Sequence, residues 1–430
     1  MKHLARLTPI LILGTIVGPG ASERPATGLQ PKGADLELLR SVRRIAEEVE
    51  RLRGESFVRP PVAVRAPDSM RKVAAEIRAS NVIPRERLAA RGRAWSEIGL
   101  GGSGSPERLF QTLAADLQGI GFDPDGNRLL VSPDRLTLDD YRPDAKLSAP
   151  STVLMMTGVR PDEPLASHLL MHVRQRERAG RDSLQPTTDG LLAHSAWAEG
   201  EANLLAIRYL FEGMGLADDV IEYPLDPGDF LEGILVPPEL DELSGVEQDL
   251  VRFVYIEGFA EAVRRFKAGG WAALDHEMAR RPTSGAILHP DGPVESSFTR
   301  PSPPAPDLRL VDTDSLGEQG VIVLISRATG KDDLALEAGE GWTGDRLYRW
   351  ESPGKTGSGA ATEWRTRWRT AEDALDFAYA YGRTLAVRFP DRKLERGEGT
   401  DVLRTDARIF RVETAGREVR VLILPAASAP

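Results

Sequence analysis

Apolar residues recur at helical spacing near the start of the chain. Charged residues separate them, and they fall at Leu38, Val42, Ile45, Val49 and Leu52. Side chains three or four positions apart lie on the same face of an α-helix. The pattern therefore predicts an amphipathic helix from about residue 35 that packs one face against a core.

A second helix is predicted from Ser69, whose hydroxyl can cap a helix carrying Met70, Val73 and Ile77 on one side. The stretch 91–106 is rich in Gly and Ser.

The pair Ser105 and Pro106 favours another helix start, because proline fits the first helical turn. Apolar spacing carries this helix to about Leu117, and Gly121 is predicted to stop it. Residues 127–149 alternate poorly and contain Pro and Asp, which indicates short strands or turns.

Three longer helical patterns occupy the middle of the chain. Pro164 suits the first turn of a helix that reaches about Arg178. A second pattern covers 191–214, and a third covers about 246–267 before Gly269 and Gly270 end it.

The pattern changes after residues 281–307, which contain seven prolines and are predicted to form a covering loop or a linker. A helix is predicted over 371–387, and the predicted strands are 321–325, 345–350, 362–369 and a hairpin of 409–412 with 419–424. The predicted fold class is α+β, with a predominantly helical body at 35–307, a smaller C-terminal α+β portion at 308–425 and a tail at 426–430.

Residues 1–22 have the order of a secretory signal peptide. Lys2 and Arg6 precede an apolar run over 7–17, and small residues around Ala21 offer a cleavage site. The run is too short to cross a bilayer, so a buried N-terminal helix is the alternative interpretation. The sequence predicts an exported protein, periplasmic or extracellular, with a linker at 23–34 and no integral membrane segment after signal removal.

Composition limits the chemistry that the chain can perform. Its 430 residues include six histidines and no cysteine, which excludes disulfides, thiolate metal sites and a cysteine nucleophile. The 55 Lys and Arg residues are outnumbered by 65 Asp and Glu residues, a balance that argues against nucleic-acid binding. Any metal site must use His, Asp or Glu.

Two histidines have the spacing of a metal site. His168 and His172 are four residues apart, so both imidazoles can reach one ion from the same helix face. Glu199 lies on the next predicted helix and could supply an oxygen, leaving a fourth position open. Glu201 points elsewhere around that helix, and His194 is an alternative ligand. The histidines could instead form hydrogen bonds on a half-buried helix face.

These motifs resemble the gluzincin zinc metallopeptidases, which have an H-E-x-x-H helix and a downstream glutamate ligand. They resemble more closely a family of mostly exported bacterial zincin-like proteins with H-E-L-x-H-A-L-Q and L-V-E-G-D-A segments. The matching segments here are HLLMHVRQ at 168–175 and AEGEA at 198–202, followed by further matches at 140–143, 255–259, 269–271, 282–290, 341–346 and 364–368. The resemblance spans roughly residues 35–425 and implies a zincin-like fold with zinc on His168, His172 and Glu199.

The sequence departs from that family where catalysis would occur. In the family, a glutamate after the first histidine accepts and returns a proton of the zinc-bound water, and Leu169 stands there instead. Losing a general base removes about 10²–10⁴-fold of rate. Arg176 replaces an acidic residue, and Gly285 and Ala286 replace polar ones, so the resemblance implies a degenerate site.

Other histidines and aromatic residues have weaker functional signals. His289 could stand at the rim and donate to a substrate carbonyl or oxyanion, or it could order the loop before Pro290. His276 is predicted to be solvated, and Trp342, Trp350, Trp364 and Trp368 are predicted to pack in a core. A basic cluster is predicted to be a solvated helix end, or a site for a peptide carboxylate; it comprises Arg174, Arg176, Arg178 and Arg181.

The leading hypothesis is therefore an exported zinc-metallopeptidase-like pseudoenzyme that binds a peptide or protein partner in its cleft. One alternative is an active zinc hydrolase in which Glu201 or Glu163 handles protons. The other is a metal-free structural or interaction module.

Overall fold

The computed structural model describes residues 33–101, 104–114, 120–123, 128–133, 136, 157–160, 162–179, 186–218, 240, 243, 245–278, 283–290, 292, 297–353 and 359–426. The predicted signal peptide at 1–22, the 140–143 segment and the tail beyond residue 426 lie outside these ranges. The predicted linker at 23–34 also lies outside them, except that its last two residues begin the first helix.

Helices and a small sheet form the N-terminal part of the described chain. The elements are α1 (Gly33–Arg53), β1 (Val62–Arg65), α2 (Asp68–Val82), α3 (Arg85–Ile98), α4 (Pro106–Ala114), β2 (Ile120–Asp123) and β3 (Arg128–Val131). Strand β3 pairs in parallel with β1 and antiparallel with β2. The five apolar residues that predicted α1 are all buried, which confirms that helix.

Two local predictions in this part are wrong. The second predicted helix is present, but Pro67, not Ser69, is the N-cap of α2, and Met70 and the two apolar residues grouped with it are exposed. Gly121 lies in β2 and does not stop a helix. The Gly- and Ser-rich stretch 91–106 begins inside α3, where Arg91 is buried and its Nε donates to Asp312 (3.0 Å), a distant partner that local composition does not reveal.

Three long helices and a short one form the middle of the fold. They are α5 (Asp162–Ala179), α6 (Thr188–Glu212), α7 (Gly245–Met278) and α8 (Ser284–Leu288). The first three confirm the predicted helices, and α7 is interrupted at Gly269 and Gly270, the latter with a φ of 63°. The presence of α8 corrects the prediction that 281–307 contains no helix. Thr283 caps it, because its hydroxyl accepts from the backbone N–H of Ala286 (3.1 Å).

A large antiparallel sheet organises the C-terminal part. Its elements are β4 (Arg309–Asp314), α9 (Gly317–Thr329), α10 (Asp332–Gly339), β5 (Trp342–Glu351), β6 (Ala361–Trp368), α11 (Ala371–Arg388), β7 (Leu394–Gly397), β8 (Thr400–Arg404), β9 (Arg408–Ala415) and β10 (Glu418–Pro425). The seven strands follow the order β4-β5-β6-β10-β9-β8-β7. The four tryptophans predicted to pack are buried, and Phe377 of α11 stacks on Trp368.

The predicted strand at 321–325 is wrong, because these residues lie inside α9. Four of the five are fully buried apolar residues, and a short buried apolar run has the same appearance in a strand and in a helix. The other predicted strands and the hairpin are confirmed.

One apolar core joins the helical part to the sheet, since buried residues from α3, α6, α7, α9, β6 and β10 contact one another in a single cluster. The molecule therefore has the predicted α+β class. No helix within the described ranges has the length and apolar character needed to cross a bilayer.

Candidate metal centre

Helices α5 and α6 bring His168, His172 and Glu199 together. The Nε2 atoms of the two histidines are 3.0 Å apart. Glu199 Oε2 lies 3.1 Å from His168 Nε2, and Glu199 Oε1 lies 3.4 Å from His172 Nε2. Among the described residues these three form a group whose donor atoms could hold a metal ion. The residues that the sequence predicts as ligands therefore share one site.

The separations match those that a tetrahedral ion requires. Zinc binds nitrogen and oxygen at about 2.0–2.2 Å, which places two of its tetrahedral ligands about 3.3–3.5 Å apart. The three donors are already near that spacing, so an ion would need only small shifts of their side chains. Two nitrogens and one oxygen leave the fourth position of a four-coordinate ion for an external group.

The charge states of these groups also suit a cation. Burial lowers the pKa of the His168 imidazole, so that the neutral form, which has a free lone pair, is favoured. Burial alone would raise the pKa of Glu199, but its interactions with the two histidines outweigh that effect and lower the pKa. Glu199 is thus a carboxylate, and its buried Oε2 faces His168 Nε2 over 3.1 Å. A buried oxygen of this kind is suited to a metal.

Gln175 sets the tautomer of His172. The amide nitrogen of Gln175 donates to the carbonyl oxygen of Ala198 (2.8 Å) and to Glu201 (3.0 Å). Its oxygen therefore faces His172, whose Nδ1 donates to it over 2.8 Å. Since Nδ1 carries the proton, the Nε2 lone pair of His172 points toward Glu199 and His168. Such outer hydrogen bonds commonly orient metal-bound histidines.

Glu201 contacts the metal centre indirectly, through Gln175. It is fully buried, and it accepts from Arg53 (3.1 Å) and from Arg178 (2.7 Å) as well as from Gln175. Both arginines also contact Asp275 of α7. Its contacts with the two arginines and Gln175 give Glu201 a structural role beside the three donors.

Arg174 and Arg178 are also placed by these contacts. Arg174 pairs with Glu55 (2.7 Å) and Glu177 (2.8 Å), just as Arg178 pairs with Glu201. Two arginines of the predicted basic cluster therefore already have carboxylate partners. That arrangement gives no support to their capture of a peptide carboxylate.

Leu169, which the resemblance places where a general base would stand, is part of an apolar core. It is buried in a cluster with residues of α1, α5, α6 and the three-stranded sheet. The other carboxylate considered as a substitute, Glu163, is bound by Arg44 and by the hydroxyl of Tyr209 (2.8 Å). Neither stand-in glutamate belongs to the group of donors around His168.

The remaining histidines lie outside that group. His194 is half-buried on α6, and His276 is exposed on α7. His289 follows α8, and its Nε2 lies 2.7 Å from Glu318 Oε1. The sequence does not indicate a role for Gln175 or Glu318. Gln175 lies inside the quoted motif, and only its spacing of three residues from His172 could have indicated its contact with that histidine.

One family model matches part of the chain. Residues 308–429 match a domain of unknown function, DUF8575. The matched segment contains the large sheet with α9, α10 and α11, and it does not include the candidate metal ligands. No curated protein and no solved structure matches the chain.

Proposed function

We propose that this protein is an exported zinc-binding, metallopeptidase-like pseudoenzyme. It binds a peptide or a protein partner at the open coordination position of its metal ion. The observation that carries the proposal is the convergence of His168, His172 and Glu199, with Leu169 buried where a general base would stand.

The donor set supports zinc in particular. Two imidazoles and one carboxylate are a common ligand set for zinc with an open position, whereas Ca²⁺ and Mg²⁺ prefer oxygen ligands. When bound, zinc would act as a Lewis acid toward a carbonyl or carboxylate oxygen. His168 is buried, while His172 and Glu199 remain partly accessible, so an external ligand would approach from their side.

The contacts of the described carboxylates support binding over hydrolysis. A zinc hydrolase needs a group that takes a proton from water and returns it to the leaving group. Among the described carboxylates near the histidines, Glu201 and Glu163 are bound by arginines, and Glu199 is committed to the histidines. Leu169 cannot accept a proton, and its burial in an apolar cluster supports a packing role.

Zinc content is the first test. The mature protein, purified without a histidine tag, is expected to contain about one zinc per chain by elemental analysis, and Glu199→Ala is expected to lose it. Zinc-free natural protein would overturn the metal site and favour the metal-free structural module.

N-terminal sequencing after expression in a bacterium tests export, because cleavage is expected near residue 22.

A catalytic test separates the pseudoenzyme from the hydrolase. Leu169→Glu supplies the missing carboxylate. Leu169→Gln is the control, because glutamine has the shape of glutamate without its charge. Peptide hydrolysis is expected only in Leu169→Glu, and in neither the natural protein nor Leu169→Gln. Hydrolysis by the natural protein that Glu199→Ala abolishes would contradict the pseudoenzyme. Because Leu169 is buried, unfolding curves must show that both variants are folded.

A further inference from the structure

A second candidate site lies away from the metal centre. A cavity of about 370 Å³ opens between α8, α9 and the start of β5. Its walls include Leu288, His289, Glu318, Trp342 and Arg369. Its size lies at the lower end of the range for pockets that bind small molecules.

The cavity contains a buried carboxyl group with one free oxygen. Glu318 is 2% exposed, and its Oε1 is 2.7 Å from His289 Nε2. Its Oε2 is buried and has no hydrogen-bond partner among the described residues. A buried oxygen of this kind is costly unless a ligand or a water satisfies it.

Gly285 lies directly against that oxygen. A Cβ at Gly285 would lie 3.0 Å from Glu318 Oε2 and 2.9 Å from Cε3 of Trp342, which is too close for a methyl group. The carboxyl group and the aromatic ring therefore both contact Gly285 and line the cavity beside it. Carboxylates and indole rings are the two groups that attract an organic ammonium ion most strongly.

Neighbouring charges make the cavity favour cations. Burial, with Asp189 and Glu340 nearby, raises the pKa of Glu318 to about 8, although Arg369 opposes the effect. The half-exposed Arg369 is itself close to Glu340 (3.4 Å) and Asp373 (3.7 Å), so its charge is partly neutralised. A bound cation would relieve the repulsion between these carboxylates and favour the ionised form of Glu318.

We propose that this cavity binds a small organic molecule with a primary ammonium group, which donates to Glu318 Oε2 and lies against Trp342. The apolar side chains of Leu288 and Pro290 would contact the carbon part of the ligand. This site is separate from the metal centre. Asp189 lies beside the cavity, because it accepts a hydrogen bond from Ser284 of α8. It is ten residues before the metal ligand Glu199 on the same helix, so the two sites are about 15 Å apart along that helix.

Calorimetry with three matched probes tests the proposal. The probes are 2-phenylethylammonium, the neutral 2-phenylethanol and the anionic 3-phenylpropanoate, at about pH 8, where alkylammonium groups stay protonated. The full chain is expected to bind only the ammonium saturably, at one site. Glu318→Gln is expected to weaken binding at least tenfold, while the control Glu257→Gln, on the exposed surface of α7, leaves it unchanged.

Gly285→Ala gives an independent variant, because its methyl group would displace Trp342 and the Glu318 carboxyl group and so abolish binding. Hydrogen exchange on the natural protein needs no variant, and the ammonium probe is expected to protect residues 283–290 and 341–342. Absence of saturable ammonium binding, equal binding of the alcohol, or protection confined to other segments would overturn the proposal.

Discussion

Gly200 and Gly258 face each other where α6 crosses α7. A Cβ on Gly200 would overlap the carbonyl oxygen of Gly258, and a Cβ on Gly258 would overlap the carbonyl oxygen of Ala196. The two backbones thus approach more closely than any side chain would allow. Gly200 directly follows Glu199, so this crossing fixes the position of the Glu199 carboxylate relative to the two histidines.

Gly200→Ala is expected to destabilise the protein by about 2 kcal/mol or more, because the helices must separate to admit the methyl group. It is also expected to lower zinc content, since Glu199 would move with its helix. Urea unfolding and elemental analysis measure the two effects. Gly92→Ala in α3 is the control, because the nearest atom there is 3.6 Å from the new methyl group, and no loss of stability is expected. Unchanged stability in Gly200→Ala would show that the crossing can relax.

Gln175→Leu is expected to weaken zinc binding by about 10- to 100-fold, because His172 loses the partner that holds its proton on Nδ1. Competition with a zinc-binding dye measures the affinity. The control Gln248→Leu lies on α7, outside the metal centre, and is expected to bind zinc as the natural protein does. Equal affinities in the two variants would mean that Gln175 has no part in orienting His172.

Glu201→Gln is expected to destabilise the fold by about 3–5 kcal/mol, because it removes the buried anion that faces Arg53 and Arg178. The comparison is Glu395→Gln, which breaks an exposed pair with Arg404 and should cost less than about 1 kcal/mol. Both values come from denaturant unfolding at neutral pH. Similar costs for the two variants would contradict the supporting role of Glu201.

Glu318 is expected to make stability depend on pH. Its pKa is about 8 in the folded protein and near 4.5 when unfolded, so the unfolded chain loses the proton first as pH rises. The free energy of unfolding should fall between about pH 4.5 and 8, by up to about 5 kcal/mol. Glu318→Gln should lack this fall, and unfolding at pH 5, 7 and 9 measures the difference between the two proteins. Parallel pH curves would show that Glu318 titrates normally. His289, Asp189, Glu340 and Arg369 are the charged or titratable groups that face it.

The candidate metal ligands could be predicted because their positions depend on simple helical geometry. His168 and His172 share a face at any helix position, and a short turn returns the next helix beside them. The chain also has few histidines and no cysteine, so few other ligand sets were possible. The C-terminal hairpin was equally predictable, because alternation and a glycine turn are local signals.

The second cavity could not be predicted, because its parts are distant in sequence. Glu318 lies 29 residues after His289, at the start of a helix whose apolar run was mistaken for a strand. Gly285 appeared only as the loss of a polar residue, whereas in the fold its missing side chain lets Trp342 and Glu318 approach its backbone closely. Burial and long-range pairing give these residues their roles, and neither is visible in local sequence.

The first turn of α6 has a consequence for attempts to transplant the metal site. The backbone N–H and the hydroxyl of Thr188 both donate to Asp314 at the end of β4, each over 2.7 Å. The helix that carries Glu199 is therefore anchored by the sheet, across the boundary predicted at residue 308. A graft of residues 162–212 onto another scaffold would leave that helix start without its acceptor. A transplanted site would need its own carboxylate in place of Asp314.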